Sequence, residues 1–310
     1  MNSYYTKLKK KYRGWGQLHL FLIIPLAYII VFKYIPMAGL QIAFKNYKIA
    51  GGIWGSEWVG LENFMKFFSS YQFFTVTSNT LKLSVYSIAV GFPFPIIFAL
   101  LLHVVERPHF KKAVQTITYL PHFISTVVIV GMIMQIFNPN MGLFSNLYKT
   151  LTGSRKAIDV LATESGFKNL YIWSGVWQSF GWNSIMYLAA LTTVSIEQHE
   201  AAQIDGASRL QRVLYVDIPA IIPTITIMLI LRMGQVMSIG FEKVYLMQND
   251  LNMGASEVIS TYEYKRGLAS SGKTDYSIST AIGLFNSVIN LILVTSVNAI
   301  SRRVSENSLW

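Results

Sequence analysis

Six apolar runs, each close to the length that crosses a lipid bilayer, restrict this chain more than any other feature. They lie at Leu18–Pro36, Thr80–His103, Ala113–Phe137, Leu170–Val194, Val216–Met237 and Ile278–Ile300. A hydrocarbon core of ~30 Å takes ~20 residues of helix. The expected fold is therefore all-α: a polytopic membrane protein with six transmembrane helices. Only 13% of residues are charged, against ~25% in soluble domains. Pro93, Pro95 and Pro121 interrupt the runs, a break tolerated where neighbouring helices or a wet cavity take up the freed carbonyls. The first run is read as a span rather than a signal peptide, because Lys33 and Pro36 close it and no small-residue cleavage site follows. The chain has no cysteine and so no disulfide framework.

The formal charge of +11 belongs to topology rather than to nucleic acid, because the basic residues flank the spans. Lys7, Lys9, Lys10, Lys11 and Arg13 precede the first run, and Arg107, Lys111 and Lys112 lie between the second and third. Arg209 and Arg212 precede the fifth, and Arg302 and Arg303 follow the sixth. This places both termini in the cytoplasm, an orientation that an even number of spans permits. The expected organisation is a cytoplasmic basic segment at 1–17, one transmembrane domain at 18–303 and a cytoplasmic tail at 304–310. The other three connections are long. The first carries SEWVGLENFMKFF, whose spacing suits an amphipathic helix at the outer interface.

Between the fourth and fifth runs stands EAAQIDGASRLQRVLYVDIP, Glu200–Pro219. Glu-Ala-Ala continues a helix with little side-chain bulk, so another surface can approach closely. Gly206 is expected to break that helix, Ser208 to cap a second short one through Val213, and Pro219 to open the next apolar run. A helix–Gly–helix elbow with an exposed carboxylate at Glu200 reads as a docking element. Glu200, Ala201, Ala202, Asp205, Gly206, Ala207 and Pro219 also match, position by position, the EAA loop of binding-protein-dependent ABC importers, which this segment resembles. In that family the loop, here 197–219, is the coupling helix seated in a cleft of the ATPase subunit.

Apart from Asp217 at the cytoplasmic mouth of the fifth run, no acidic residue lies within a span. Ion-driven carriers ordinarily keep one, although backbone carbonyls can also bind sodium. Gly267-Leu-Ala-Ser-Ser-Gly272-Lys273-Thr274 satisfies a phosphate-binding loop pattern letter for letter. That motif needs a buried strand before it and a soluble helix after it, whereas here it sits in an outside connection before a span. It is read as a Gly/Ser-rich loop. The chain is accordingly expected to be no enzyme, with no catalytic residue, metal or cofactor of its own. ATP and Mg²⁺ would be held by a partner. The five histidines, His19, His103, His109, His122 and His199, are scattered, and none forms a metal-ligand pair on one helix face.

The transported solute is read from polar and aromatic residues inside the spans. Trp173, Trp177, Phe180 and Tyr187 share a helical face, Asn183 borders it, and Gln178 and Trp182 lie opposite. Rings suit the C–H faces of sugars and amides suit their hydroxyls; the same stripe equally suits an interface belt and bundle core. Arg232 lies ~24 Å along the helix from Val216, in the outer half. An arginine at that depth faces a partner, a carbonyl or water; contact with an acidic sugar and snorkelling to the outer surface are both open to it. Gln235 lies one turn further, Gln135 near the outer end of the third run, and Asn286 and Asn290 share a face of the sixth.

FKYIPMAGLQIAFKNY (Phe32–Tyr47), WVGLENF (Trp58–Phe64) and AIGLFNSVINLILVTSVNAISRR (Ala281–Arg303) extend the resemblance nearly end to end. It points to the polysaccharide and oligosaccharide permeases of the lipoprotein-associated branch. The resemblance implies the type I ABC importer permease fold in a bacterial cell membrane. It also implies a second homologous permease, two ATP-binding subunits and an extracellular sugar-binding protein that delivers an oligosaccharide. In that scheme ATP binding draws the coupling helices together and turns the cavity outward. The alternatives are an ABC permease for a non-sugar solute and, in a different class, an ATPase-independent channel or secondary carrier.

Overall fold

The computed structural model describes residues 20–153, 158–269 and 274–304. The N-terminal basic cluster, the first two residues of the first apolar run, residues 270–273 of the phosphate-loop look-alike and the tail beyond 304 lie outside the described residues. The chain divides into two compact units. One comprises residues up to Phe68 with Arg266–Leu284, the other Ser69–Lys265 with residues from Phe285 onward.

In the smaller unit, α1 (Leu20–Phe44) carries the first apolar run. The run was expected to end at Pro36, but the helix continues to Phe44 in 3₁₀ form. A five-residue π-turn, Ile30–Tyr34, comes just before that proline. Loosening the ladder there spares an α-type bond that Pro36 has no N–H to make. The apolar window of α1 is 0% buried, the condition of a surface meant for lipid or another chain. Beyond α1 a short hairpin forms, with β1 (Lys45–Asn46) antiparallel to β2 (Glu57–Trp58). Helix α2 (Glu62–Phe68) follows. Its Asn63, 3% exposed, donates to the carbonyls of Ala43 at 2.9 Å and Lys45 at 3.0 Å. The amphipathic segment read from sequence is thus only half helical. Glu57 and Trp58 are taken by the strand, because Lys45 and Asn46 offer them a ladder.

The larger unit holds α3 (Gln72–Val104), restarted at Pro93 after Gly91. Next come α4 (Pro108–Phe123) and α5 (Thr126–Ile136), bent by 94° to each other. The third run, expected to be interrupted at Pro121, is thus split into two helices just after that proline. Pro121 tightens the chain into a 3₁₀ turn, and Ser125 caps α5 by accepting from the Val128 N–H at 3.4 Å. The carbonyl of Ile124 at the break receives the Gln178 Nε2 donor at 2.9 Å, so an amide from another helix satisfies what the bend exposes. Helices α6 (Leu143–Thr152) and α7 (Glu164–Leu191) follow. Then come α8 (Ile196–Ile204), α9 (Arg209–Met233) and α10 (Phe241–Met247), while α11 (Tyr276–Val304) belongs to the smaller unit up to Leu284 and to the larger one from Phe285.

Among the described residues, α1, α3, α9 and α11 are long and apolar enough to cross a membrane, and the α4–α5 pair makes a fifth if taken as one span. The fourth expected run does form a 28-residue helix, α7. Its Gly, Ser, Gln, Asn and Trp content keeps its hydropathy below the other four. Helix α7 is central to the larger unit. Its Tyr187, Leu188 and Leu191 pack with Ala99, Leu100 and Leu102 of α3 and Ile221 of α9 in one cluster. A second cluster includes Leu83, Ile129, Ile133, Phe167, Ile172, Val176 and Val244. Burying each such aliphatic or aromatic side chain is worth ~1.5–3 kcal/mol. Helices α4 and α7 meet backbone to backbone. A Cβ on Gly181 would stand 2.3 Å from the Thr118 carbonyl oxygen, so no larger residue fits without moving one of them.

Candidate functional site

Two groups of residues singled out by the sequence lie in the larger unit. The first is the elbow. Helix α8 begins at Ser195, whose side chain accepts from the Glu197 N–H, and runs to Ile204. Gly206 then takes φ +80°, the left-handed region that turns the chain at low cost only for glycine. Ser208 caps the next helix in a reciprocal capping box with Gln211. The short second helix expected to stop at Val213 instead runs on. A π-turn at Val213–Asp217 joins it to Ile218–Met233, with Pro219 in the first turn after the π-turn. As at Pro36, a π-turn immediately precedes a proline.

Glu200, Ala201, Asp205, Gly206 and Pro219 are exposed, while Ala202 and Ala207 are half-buried. Around them Ile196, Ile204 and Leu210 stand 73%, 86% and 67% exposed. The elbow therefore presents apolar knobs beside a carboxylate and a small-residue face. Such a surface is suited to being covered by another protein.

The second group surrounds Arg232, which lines three cavities of about 180, 270 and 170 Å³. Asn183 and Gln235 line the first of them with it, and Arg232 Nη2 reaches Ser87 Oγ at 3.3 Å. Asn290 lies beside them, accepting from the Met237 N–H at 3.0 Å and donating to Ser238 Oγ at 2.9 Å. Gln135, Trp177 and Asn286 are not among the lining residues of these cavities. The aromatic stripe divides. Tyr187 and Phe180 face cavities, whereas Trp173 and Trp177 are 46% and 45% exposed, with Trp173 edge-on to Phe94.

Sequence reasoning missed Lys243. It sits on α10, outside the apolar runs, yet is only 9% exposed and lines one cavity with Arg232, Tyr171, Gln178 and Asn183. Its Nζ donates to the Tyr171 carbonyl at 2.9 Å and stands 5.2 Å from that ring's centroid. Burial pushes its pKa down from 10.5 to about 8, since low-dielectric surroundings disfavour the ammonium. The available signal was a lysine inside the apolar pattern of FEKVYLM. The pocket around Arg232 thus carries two cations, amides, hydroxyls and rings, a lining that suits a hydroxylated, anionic solute.

Residues 91–306 match the family described as binding-protein-dependent transport system inner membrane component. The protein LplB of Bacillus subtilis is 41% identical over 293 residues, covering 94% of this chain and 91% of that protein. The polygalacturonan/rhamnogalacturonan transport system permease protein YteP of the same organism is 40% identical over 293 residues, covering 94% and 90%. Among solved structures, a bacterial ABC transporter involved in import of the acidic polysaccharide alginate is similar, with a TM-score of 0.86 and 36% identity. That match covers 96% of this chain and 99% of that one. The alginate transporter in complex with an alginate pentasaccharide-bound periplasmic protein gives a TM-score of 0.87 at 36% identity, covering 97% and 99%. These matches run nearly the full length of both partners and agree with the polytopic helical fold. The chain belongs to the binding-protein-dependent transport system inner membrane components: it is a multi-pass inner-membrane permease subunit of an ABC transporter, not an enzyme.

Proposed function

We propose that this chain is half of the translocation pathway of an ATP-driven importer for acidic oligosaccharides, the fragments of uronate-bearing polysaccharides. The observation that carries the reading is the pairing of Arg232 and Lys243 in one cavity lined by Tyr171, Gln178 and Asn183. Carboxylates of a uronate chain match the two cations, and its hydroxyls match the amides. Support comes from relatives whose names specify polygalacturonan/rhamnogalacturonan and alginate, both acidic polymers.

In this reading the basic flanks put both termini and the α8 elbow in the cytoplasm. Residues 18–303 work as one transmembrane domain. A second permease completes the cavity, two ATPase subunits hold ATP and Mg²⁺, and an extracellular binding protein delivers the glycan. Glu200 contacts a basic group on the ATPase, and Gly206 sets the angle of the elbow. The sugar-importer reading is tested by reconstituting the complete transporter in liposomes with its binding protein. ATP-dependent uptake of oligogalacturonide or oligoalginate, with little uptake of a neutral maltooligosaccharide, supports it. Uptake that continues without the ATPase would favour a carrier, and equal uptake of neutral and acidic glycans would remove the role given to the two cations.

A further inference from the structure

Three side chains scattered along the sequence meet beside the elbow. His103 closes α3, His199 lies on α8, and Asp217 sits in the π-turn of α9. Asp217 Oδ1 is 3.0 Å from His199 Nε2 and 3.8 Å from His103 Nε2. One ligand-type atom from each of the three residues lies within 4.8 Å of the others. The Asp217 side chain is 2% exposed, and those of His103 and His199 are 25% and 20% exposed. Together they line a cavity of about 170 Å³ that also takes in Glu106, Arg209 and Arg212.

A second observation points to an occupant. Among the described residues, Asp217 Oδ1, His199 Nε2 and Arg212 Nε are buried polar atoms without a hydrogen bond, and all three residues line this cavity. Asp217 and His199 are thus at ion-pair distance without hydrogen-bond geometry. Leaving a buried charged group unsatisfied is costly. Glu106 does not supply the missing partner, because its carboxylate is engaged by Arg209 at 2.9 Å.

We propose that His103, His199 and Asp217 form a binding site for a divalent late-transition-metal ion of the Zn²⁺ class, tying α8 to the end of α3 and to the π-turn of α9. Tetrahedral zinc, with bonds of about 2.0–2.1 Å, sets its ligand atoms about 3.3 Å apart. The separations of 3.0 and 3.8 Å bracket that spacing. Two imidazoles and one carboxylate suit zinc, whereas calcium and magnesium prefer all-oxygen sets. Three protein ligands leave one position for water, whose oxygen gives Arg212 Nε an acceptor. The guanidinium also repels the ion, which weakens the site relative to one without a neighbouring cation. A metal there restrains α8, the element that bears Glu200, Ala201 and Ala202.

The test uses the assembled transporter, stripped with chelator, dialysed against micromolar Zn²⁺ and analysed for zinc by mass spectrometry. The expected result is one zinc per copy of this chain that is lost in the His103→Ala/His199→Ala double variant and in Asp217→Asn. Zinc also raises the thermal unfolding temperature of the unaltered transporter but not of the variants. Equal zinc in variant and unaltered transporters, or none above the stripped control, overturns the site. Where a variant fails to assemble, Co²⁺ titration of the unaltered complex replaces it. Visible bands of four- or five-coordinate cobalt, displaced by Zn²⁺, support the site, and their absence overturns it.

Discussion

The elbow at 195–219 and the cavity around Arg232 lie in the same unit but are built in opposite ways. The elbow is one contiguous segment in which each local signal makes its own turn: Ser195 starts α8, Gly206 reverses the chain at φ +80°, and Ser208 with Gln211 starts α9. The cavity has no such segment. Ser87 comes from α3, Tyr171, Gln178 and Asn183 from α7, Arg232 from the end of α9, and Lys243 from α10. A surface that docks on another protein can be specified by neighbours in sequence. A cavity for a flexible solute is specified by packing, and changes to its walls are felt through the helices that carry them.

That difference predicts where single substitutions strike hardest. The largest effect is expected at Gly206→Val, because a left-handed backbone costs an L-residue ~1–2 kcal/mol, and more when β-branched. Stimulation of ATP hydrolysis by glycan-loaded binding protein should fall by more than about tenfold, since ~1.4 kcal/mol is a factor of ten. Unchanged stimulation in a fully assembled complex would break the assignment of the elbow to coupling.

Arg232→Ala comes next. Hydrogen bonds to charged groups are worth ~1.5–3 kcal/mol, so half-saturating acidic oligosaccharide in proteoliposome uptake should rise about tenfold. ATP hydrolysis without substrate should be unaltered. Equal loss for a neutral glycan would point to a structural role instead.

A smaller effect is expected from pH. Lys243 has its pKa lowered to about 8 from 10.5. Above about 8 its charge is progressively lost, so affinity for an acidic glycan should decline from pH 7 towards about pH 9. Lys243→Met should flatten that decline. Stability moves the other way. The unfolded chain binds more protons between about 8 and 10.5, so folding gains over that window as pH rises. Chemical denaturation of the unaltered and Lys243→Met proteins at both ends of the range separates the two effects.

Ser208→Ala should do least. It removes one cap, worth ~1 kcal/mol, from a turn that the Gln211 side chain still partly holds through its bond to the Ser208 N–H at 2.7 Å. A slightly lower unfolding temperature with near-normal coupling is expected. Loss of coupling as large as that of Gly206→Val would mean that the cap, not the glycine, sets the elbow.

The sequence by itself determined that the chain is helical and built for a membrane. Bilayer thickness fixes span length, and an unsatisfied backbone in hydrocarbon is too costly for other solutions. It also determined the elbow, because Gly206 and Ser208 act through dihedral preference and hydrogen bonds that reach only three or four residues. The breaks were less legible. Pro121 was visible, but a 94° bend at Phe123–Thr126 depends on Gln178, from another helix, satisfying the carbonyl of Ile124. The continuation of α1 past Pro36 and of α9 past Val213 depends on π-turns, for which no residue type is diagnostic.

Only the tertiary structure brought Lys243 beside Arg232, or gathered His103, His199 and Asp217 within 4.8 Å. Each of those groups is assembled from separate helices. Which side chains meet is set by how ridges and small residues such as Gly181 let the helices cross. A linear pattern states which face of a helix is apolar. It does not state which other helix that face will find.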